Sequence, residues 1–255
     1  MASPEPVLIG NLTWPQAARL TEDGERLCLL PVGALEQHGR HLPVRTDTAI
    51  AEAISEAASR RTGVPVLPCL WATSSQAHTK KWPGTYALTP RLLIDVVVQL
   101  ADWVRSSGFT KLLLLNAHGG NIGPLRVAVD EIRCRGDLQI GAINWFTLTA
   151  EIEAFVNSDG SDVHANRAET SLMLHLHPDL VDRSAIADDP DRTLDSVFNY
   201  TVAQTSIDGL TGSPSLATAE DGAWLFGLVV DALSEKIERA RAETPPELAS
   251  PGSHR

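Results

Sequence analysis

Lys111-Leu112-Leu113-Leu114-Leu115-Asn116-Ala117-His118-Gly119-Gly120-Asn121 contains the clearest buried strand in the chain. Four successive leucines leave the strand no polar face, so it must be covered on both sides, as strands of parallel sheets are. The glycines turn the chain, and a helix is expected near Pro124 to Cys134. Upstream, Leu27 to Val32 reads as a second buried strand that stops at Gly33. A polar turn, Glu36 to Arg45, leads into Thr46-Asp47-Thr48. Ala49, Ile50, Ala53 and Ile54 then recur at helical spacing, which predicts a helix to about Arg61. Val64 to Leu70 is a strand candidate broken by two prolines. After a polar loop, Ser74 to Thr85, Pro90 opens a helix whose apolar face is Leu92, Leu93, Val96, Val97, Leu100, Trp103 and Val104, with Gly108 ending it. Leu138 to Trp145 is a further strand, and helices are expected over Glu169 to Leu176 and Ala219 to Arg241. Strands alternating with helices predict one α/β domain over residues 1–243, with a mainly parallel sheet covered on both faces. The Pro- and Ser-rich residues 244–255 read as a loose tail.

Composition narrows the function. The 255 residues are 43% hydrophobic and 21% charged, enough for a substantial core. The net charge of −11 argues against a nucleic-acid partner, which needs clustered positive charge. The longest apolar runs fall far below the ~20 residues of a membrane span. Three cysteines (Cys28, Cys69, Cys134) without CxxC spacing read as reduced, mostly core thiols, and no basic-then-apolar leader is expected at the start. A cytoplasmic location follows. No GxGxxG or P-loop follows any strand, which argues against a nucleotide-binding protein.

Polar residues cluster where these strands end, as ligand sites of open α/β sheets do. Glu36 and His38 stand two apart after the first strand, so extended backbone points both the same way. Asp47 follows at a helix start, where it also reads as an N-cap. His118 follows the leucine strand and also reads as a core histidine. His164 and Glu169 flank another helix start, where an acid is favoured by the dipole alone. Mixed His and carboxylate groups suit zinc, manganese or iron, and five of them can hold two ions through one bridging carboxylate.

The motifs together resemble the creatininase (creatinine amidohydrolase) family. They are Leu30 to Gly33 with Glu36-Gln37-His38-Gly39, His41-Leu42-Pro43, Thr46-Asp47, His78 with Trp82-Pro83-Gly84-Thr85, Asn116 to Asn121, and His164-Ala165 with Glu169-Thr170-Ser171. They occur in the family's order over about residues 8 to 181. The resemblance implies a three-layer α/β/α sandwich and one or two divalent metals per subunit (Zn, Mn or Fe). It makes Glu36, His38, Asp47 and His118 ligands, with Asp47 bridging, and adds Glu169. It places His164 over the substrate; His164, able to shuttle protons near pH 7, is the expected catalytic group with Glu169, a structural hydrogen bond being its alternative role. The implied assembly is a homo-oligomer, a hexamer by family habit, and the implied partner is a small molecule rather than nucleic acid or membrane.

The departures from the family pattern point to a divergent member. Creatininases proper carry a glutamate where this chain has Gly120, which shifts ligand duty to Glu169. Trp82 replaces a phenylalanine, and Asn166-Arg167 replaces Gly-Glu. Arg40 and Arg45 stand where neutral residues are common, and with Arg167 and Lys80-Lys81 they suggest an anionic substrate group, or else read as solvated loop charges or interface salt bridges. Together with His78, Trp82 and Trp145, Arg40 and Arg45 make up the expected substrate-binding set. The expected reaction is metal-dependent hydrolysis of a C–N amide bond, in a cyclic amide or formamide, by metal-activated water. The alternatives are cleavage of a peptide or C–C bond by the same machinery, or a metal-binding protein without catalysis.

Overall fold

The computed structural model describes residues 4–246. Its centre is a parallel sheet of β1 (Leu27–Val32), β2 (Lys111–Asn116) and β3 (Gln139–Asn144), hydrogen-bonded in that order. Leu27 pairs with Lys111 and Lys111 with Gln139; at the other end Val32, Asn116 and Asn144 lie in register. Alternation sorts the buried side chains. Cys28, Leu30, Val32, Leu112 and Leu114 enter one core, and Leu27, Leu29, Leu113 and Leu115 the other. The first core is closed by α3 (Pro90–Ser106) and α4 (Ile122–Arg133). The second is closed by α2 (Thr46–Thr62), α6 (Arg167–Leu176) and α8 (Ala219–Ala242). The molecule is thus the expected three-layer α/β/α sandwich.

Val64 to Leu70 does not form a full strand. It touches the outer edge of β1 through bridges at Leu29–Val66 and Val32–Leu70. Pro65 and Pro68 lack amide donors, and so does Pro31 on β1, so the ladder cannot be continuous. This edge still fixes the topology. The chain leaves β1, crosses one face as α2, touches the far edge of β1, and returns over the other face as α3 to β2. The winding therefore reverses beside β1, and the crevice between the carboxyl ends of β1 and β2 is the switch point where such sheets bind ligands.

Three helices lie outside the sequence expectations: α1 (Trp14–Glu22), α5 (Ala150–Val156) and α7 (Val202–Thr205). Thr13 with Gln16, and Thr201 with Gln204, form capping boxes at the starts of α1 and α7. The buried stripe of α3 is Leu93, Val97, Val98, Ala101 and Val104; Leu92 and Trp103, expected on its apolar face, are exposed. Cys28 is buried, Cys69 half-buried and Cys134 exposed, so the core-thiol expectation fails for Cys134. Residues 244–246 are exposed and without regular structure; residues 247–255 of the expected tail lie outside the described residues. Among the described residues no helix is long and apolar enough to cross a membrane.

Candidate metal centre

The switch point gathers Glu36, His38, Asp47, His78, His118, His164 and Glu169. Glu36 and His38 come from the loop after β1 and Asp47 from the first turn of α2. Gly33 lets these two elements meet, since a Cβ there would stand 2.6 Å from the Thr48 Cα. The Thr48 hydroxyl donates to the Ala34 carbonyl at 2.8 Å and ties helix to loop. His118 follows β2 in a turn clamped by two asparagines. Asn116 Oδ1 accepts from the His118 amide at 3.1 Å, and Asn121 Nδ2 donates to the Gly33 carbonyl at 2.9 Å. Asn166 caps α6 by accepting from the Ala168 and Glu169 amides, which sets Glu169 in the first turn. Ala165, just before, has a left-handed φ of 50°, a strained conformation that the Glu169 carboxylate holds by accepting from its amide at 2.7 Å.

The carboxylates lie between the imidazoles. Asp47 Oδ1 is 3.2 Å from His38 Nε2, and its Oδ2 is 3.4 Å from His118 Nδ1. Glu36 Oε1 is 3.1 Å from His118 Nδ1 and 3.7 Å from His164 Nδ1; its Oε2 is 3.4 Å from His78 Nε2. Glu169 Oε2 reaches to 4.0 Å from His38 Nε2. Three overlapping groups have ligand spacing: Glu36, Asp47 and His118; His38, His164 and Glu169; and Glu36, His78 and His164.

Backbone contacts assign ring protons. His38 Nδ1 donates to the Glu36 carbonyl at 3.1 Å, His118 Nε2 to the Ser74 carbonyl at 3.0 Å, and His164 Nε2 to the Gln37 carbonyl at 2.8 Å. Each of these rings, when neutral, therefore turns a lone pair inward, the arrangement seen in metal-binding histidines.

Both Glu36 oxygens, His38 Nε2 and Asp47 Oδ2 are buried without a hydrogen-bond partner. Buried polar atoms are rarely left so, and divalent cations would satisfy Glu36 Oε1, His38 Nε2 and Asp47 Oδ2. The electrostatics agree. Burial, reinforced by the Asp47 charge, pushes the Glu169 carboxyl up to about 7. Burial also raises Asp47 against the pull of His38. Burial lowers His38 and His118, but Asp47 and Glu36 outweigh it and bring them to about 10 and about 9. The cluster thus draws in positive charge, as protons or as metal.

A profile described as creatininase, creatinine amidohydrolase, matches residues 10–237. Creatinine amidohydrolase of Pseudomonas putida is 30% identical over 260 residues, covering 94% of this chain and 98% of that protein. The chain belongs to the creatininase family. The mycofactocin precursor peptide peptidase of Mycobacterium ulcerans is 32% identical over 225 residues, covering 83% of this chain and 84% of that one. Solved creatininase structures superpose on 94% of the chain and all of their own length with a TM-score of 0.80: a mutant creatininase of Zn-Zn type at 27% identity and a manganese creatininase at 28%.

Within this creatininase-family fold, Gly120 has a local reason. A Cβ there would collide with His118 Nε2 and the Ser74 carbonyl, breaking the bond that holds the ring. Of the expected substrate-binding residues, His78 lies in the cluster. Trp145 lies in the core, 1% exposed, edge-on to Phe146. Trp82 is half-buried under the Lys81 ammonium. Arg40 pairs with Asp208 at 2.9 Å and Arg45 with Glu52 at 2.7 Å, both arginines largely exposed. Arg167 likewise pairs with Asp221 at 2.7 Å, so the three arginines behind the anionic-substrate expectation are engaged by carboxylates, while Lys81 lies over Trp82. Gln37, Asn116 and Asn121, present in the sequence motifs, hold the histidines, a role that residue type alone does not mark.

Proposed function

We propose that this chain is a metal-dependent amidohydrolase that cleaves a C–N amide bond of a small substrate, in a cyclic amide or a formamide. The observation that carries the reading is Asp47, whose two oxygens face His38 and His118 separately inside a set of unpartnered buried carboxylates. Glu36, Asp47 and His118 would hold one ion, and His38, Asp47 and Glu169 a second. Zinc, manganese or iron suits these nitrogen and oxygen donors. The metal supplies Lewis acidity toward water and the scissile carbonyl. His164 turns Nδ1 inward and is the group to accept a proton there and return it to the leaving nitrogen. The same proposal takes residues 1–243 as one domain and the assembly as a cytoplasmic homo-oligomer. A second reading, hydrolysis of a peptide bond, is favoured by the 32% identity to the mycofactocin precursor peptide peptidase.

Metal analysis with hydrolysis assays on cyclic amides, formamides and short peptides tests both readings. One or two equivalents of metal per chain are expected, with turnover in one substrate class. Asp47→Ala should lose metal and all measurable turnover. Full metal content and turnover in that variant would end the bridging assignment.

A further inference from the structure

His78 differs from the other histidines of the cluster in what its inward nitrogen carries. Its partner is the Gln37 carboxamide, and that amide has no freedom to flip. Gln37 Oε1 accepts from the Gly39 amide at 3.1 Å, and Gln37 Nε2 donates to the Gly209 carbonyl at 2.7 Å. Both partners are main-chain groups of fixed polarity, so the nitrogen end is identified by chemistry. The same Nε2 lies 2.9 Å from His78 Nδ1. Its second hydrogen points there, because it must donate to a lone pair. It also lies 3.3 Å from His164 Nε2, but that nitrogen already donates to the Gln37 carbonyl and has no lone pair to offer. A neutral His78 therefore carries its proton on Nε2, the atom 3.4 Å from Glu36 Oε2. In their neutral forms His38, His118 and His164 turn lone pairs inward, whereas His78 turns a proton inward.

We infer that Gln37 fixes His78 as a hydrogen donor, so that His78 positions the Glu36 carboxylate and is not a metal ligand, although its spacing to Glu36 and His164 fits one. The inference rests on the metal reading of the cluster: Glu36 Oε2 faces His78 Nε2 at 3.4 Å and would take its hydrogen bond once an ion engages Oε1. Gln37 is then a positioning residue at one remove. It joins the loop after β1 to the main chain at Gly209, and both it and His78 are buried.

Nitrogen-15 NMR of the histidine rings tests this in protein loaded with cadmium-113 in place of the native metal. Cadmium coupling is expected at His38 Nε2 and His118 Nδ1 and absent at His78, whose Nε2 should carry a proton. Coupling at His78 Nε2, or a proton on its Nδ1, overturns the inference. Zinc titration gives a second readout. His78→Ala should keep the wild-type stoichiometry while zinc affinity weakens ~10–100-fold, as when an outer partner of a ligand is lost. His78→Gln, which retains an N–H donor, should recover part of that loss. Loss of one zinc equivalent in His78→Ala overturns the inference. If wild-type protein binds neither zinc nor cadmium, the metal reading fails instead, and the His78 tautomer is still decided by the spectrum of the metal-free protein.

Discussion

His41 stands beside the metal-ligand candidates without joining them. Its Nε2 meets the Thr170 hydroxyl at 2.9 Å, its carbonyl accepts from the Asp182 amide at 2.9 Å, and its Nδ1 is buried without a partner. Burial, with some repulsion from His38, lowers its pKa from 6.5 to about 4. Below about pH 6.5 the unfolded chain therefore takes a proton that the native ring refuses. The stability contributed by neutral His41 is complete above that pH and is lost as pH falls toward 4, ~3 kcal/mol in all. Urea unfolding of metal-free protein checks this: between about pH 7 and pH 5 the wild type should lose roughly 2 kcal/mol more than His41→Gln. An equal loss in both would remove the assignment. Single residues also mark what the sequence made legible. That Glu36, His38, Asp47, His118 and Glu169 come together could be read from motifs that resemble the creatininase family and sit at strand ends. The donor role of His78 could not, because its proton is placed by Gln37, 41 residues away in the chain, and Gln37 by Gly209, 172 residues away.

At the scale of elements, α6 carries Glu169, and α8 fixes where α6 lies. The two pack closely at Gly222, where a Cβ would run into the Ser171 carbonyl of α6. Gly227, on the same helix, has nothing within 4 Å of its Cβ direction. The two glycines should therefore respond in opposite senses to one substitution. Gly227→Ala should stabilise the protein by ~0.5–1 kcal/mol, through better helix propensity and a less flexible unfolded chain. Gly222→Ala should destabilise it by ~1–3 kcal/mol or more, since backbone must move to admit the methyl group. Thermal and urea melts of both variants decide it, and stabilisation by Gly222→Ala would contradict the packing. β1, β2, β3 and the long helices were legible from apolar runs and periodicity. The edge at Val64 to Leu70 was less so, because proline sets how many hydrogen bonds an edge can keep, and that depends on its partner strand. Leu92 and Trp103 were misread as inward because periodicity locates an apolar arc without saying how much of it a neighbour covers.

At the scale of the whole molecule, the two cores meet at a sheet whose open end holds the candidate ligands, and the outer surface keeps large apolar side chains exposed, among them Trp14, Trp103, Val197 and Phe198. Light scattering at micromolar concentration should return a multiple of the 27.5 kDa chain mass, and a monomer would refute the homo-oligomer. Because a metal that binds only the native state stabilises it by mass action, chelation should also lower the melting temperature, and added zinc or manganese should restore it. The fastening of Gln37 to Gly209 bears on how the protein is made. The ribosome delivers Gln37 together with Glu36 and His38, yet Gly209, which locks their loop, emerges 172 residues later. Such a distant closure is costly in chain entropy and slow to find. A nascent chain that stops short of Gly209 therefore carries the candidate ligands on a loop that still lacks its fastening.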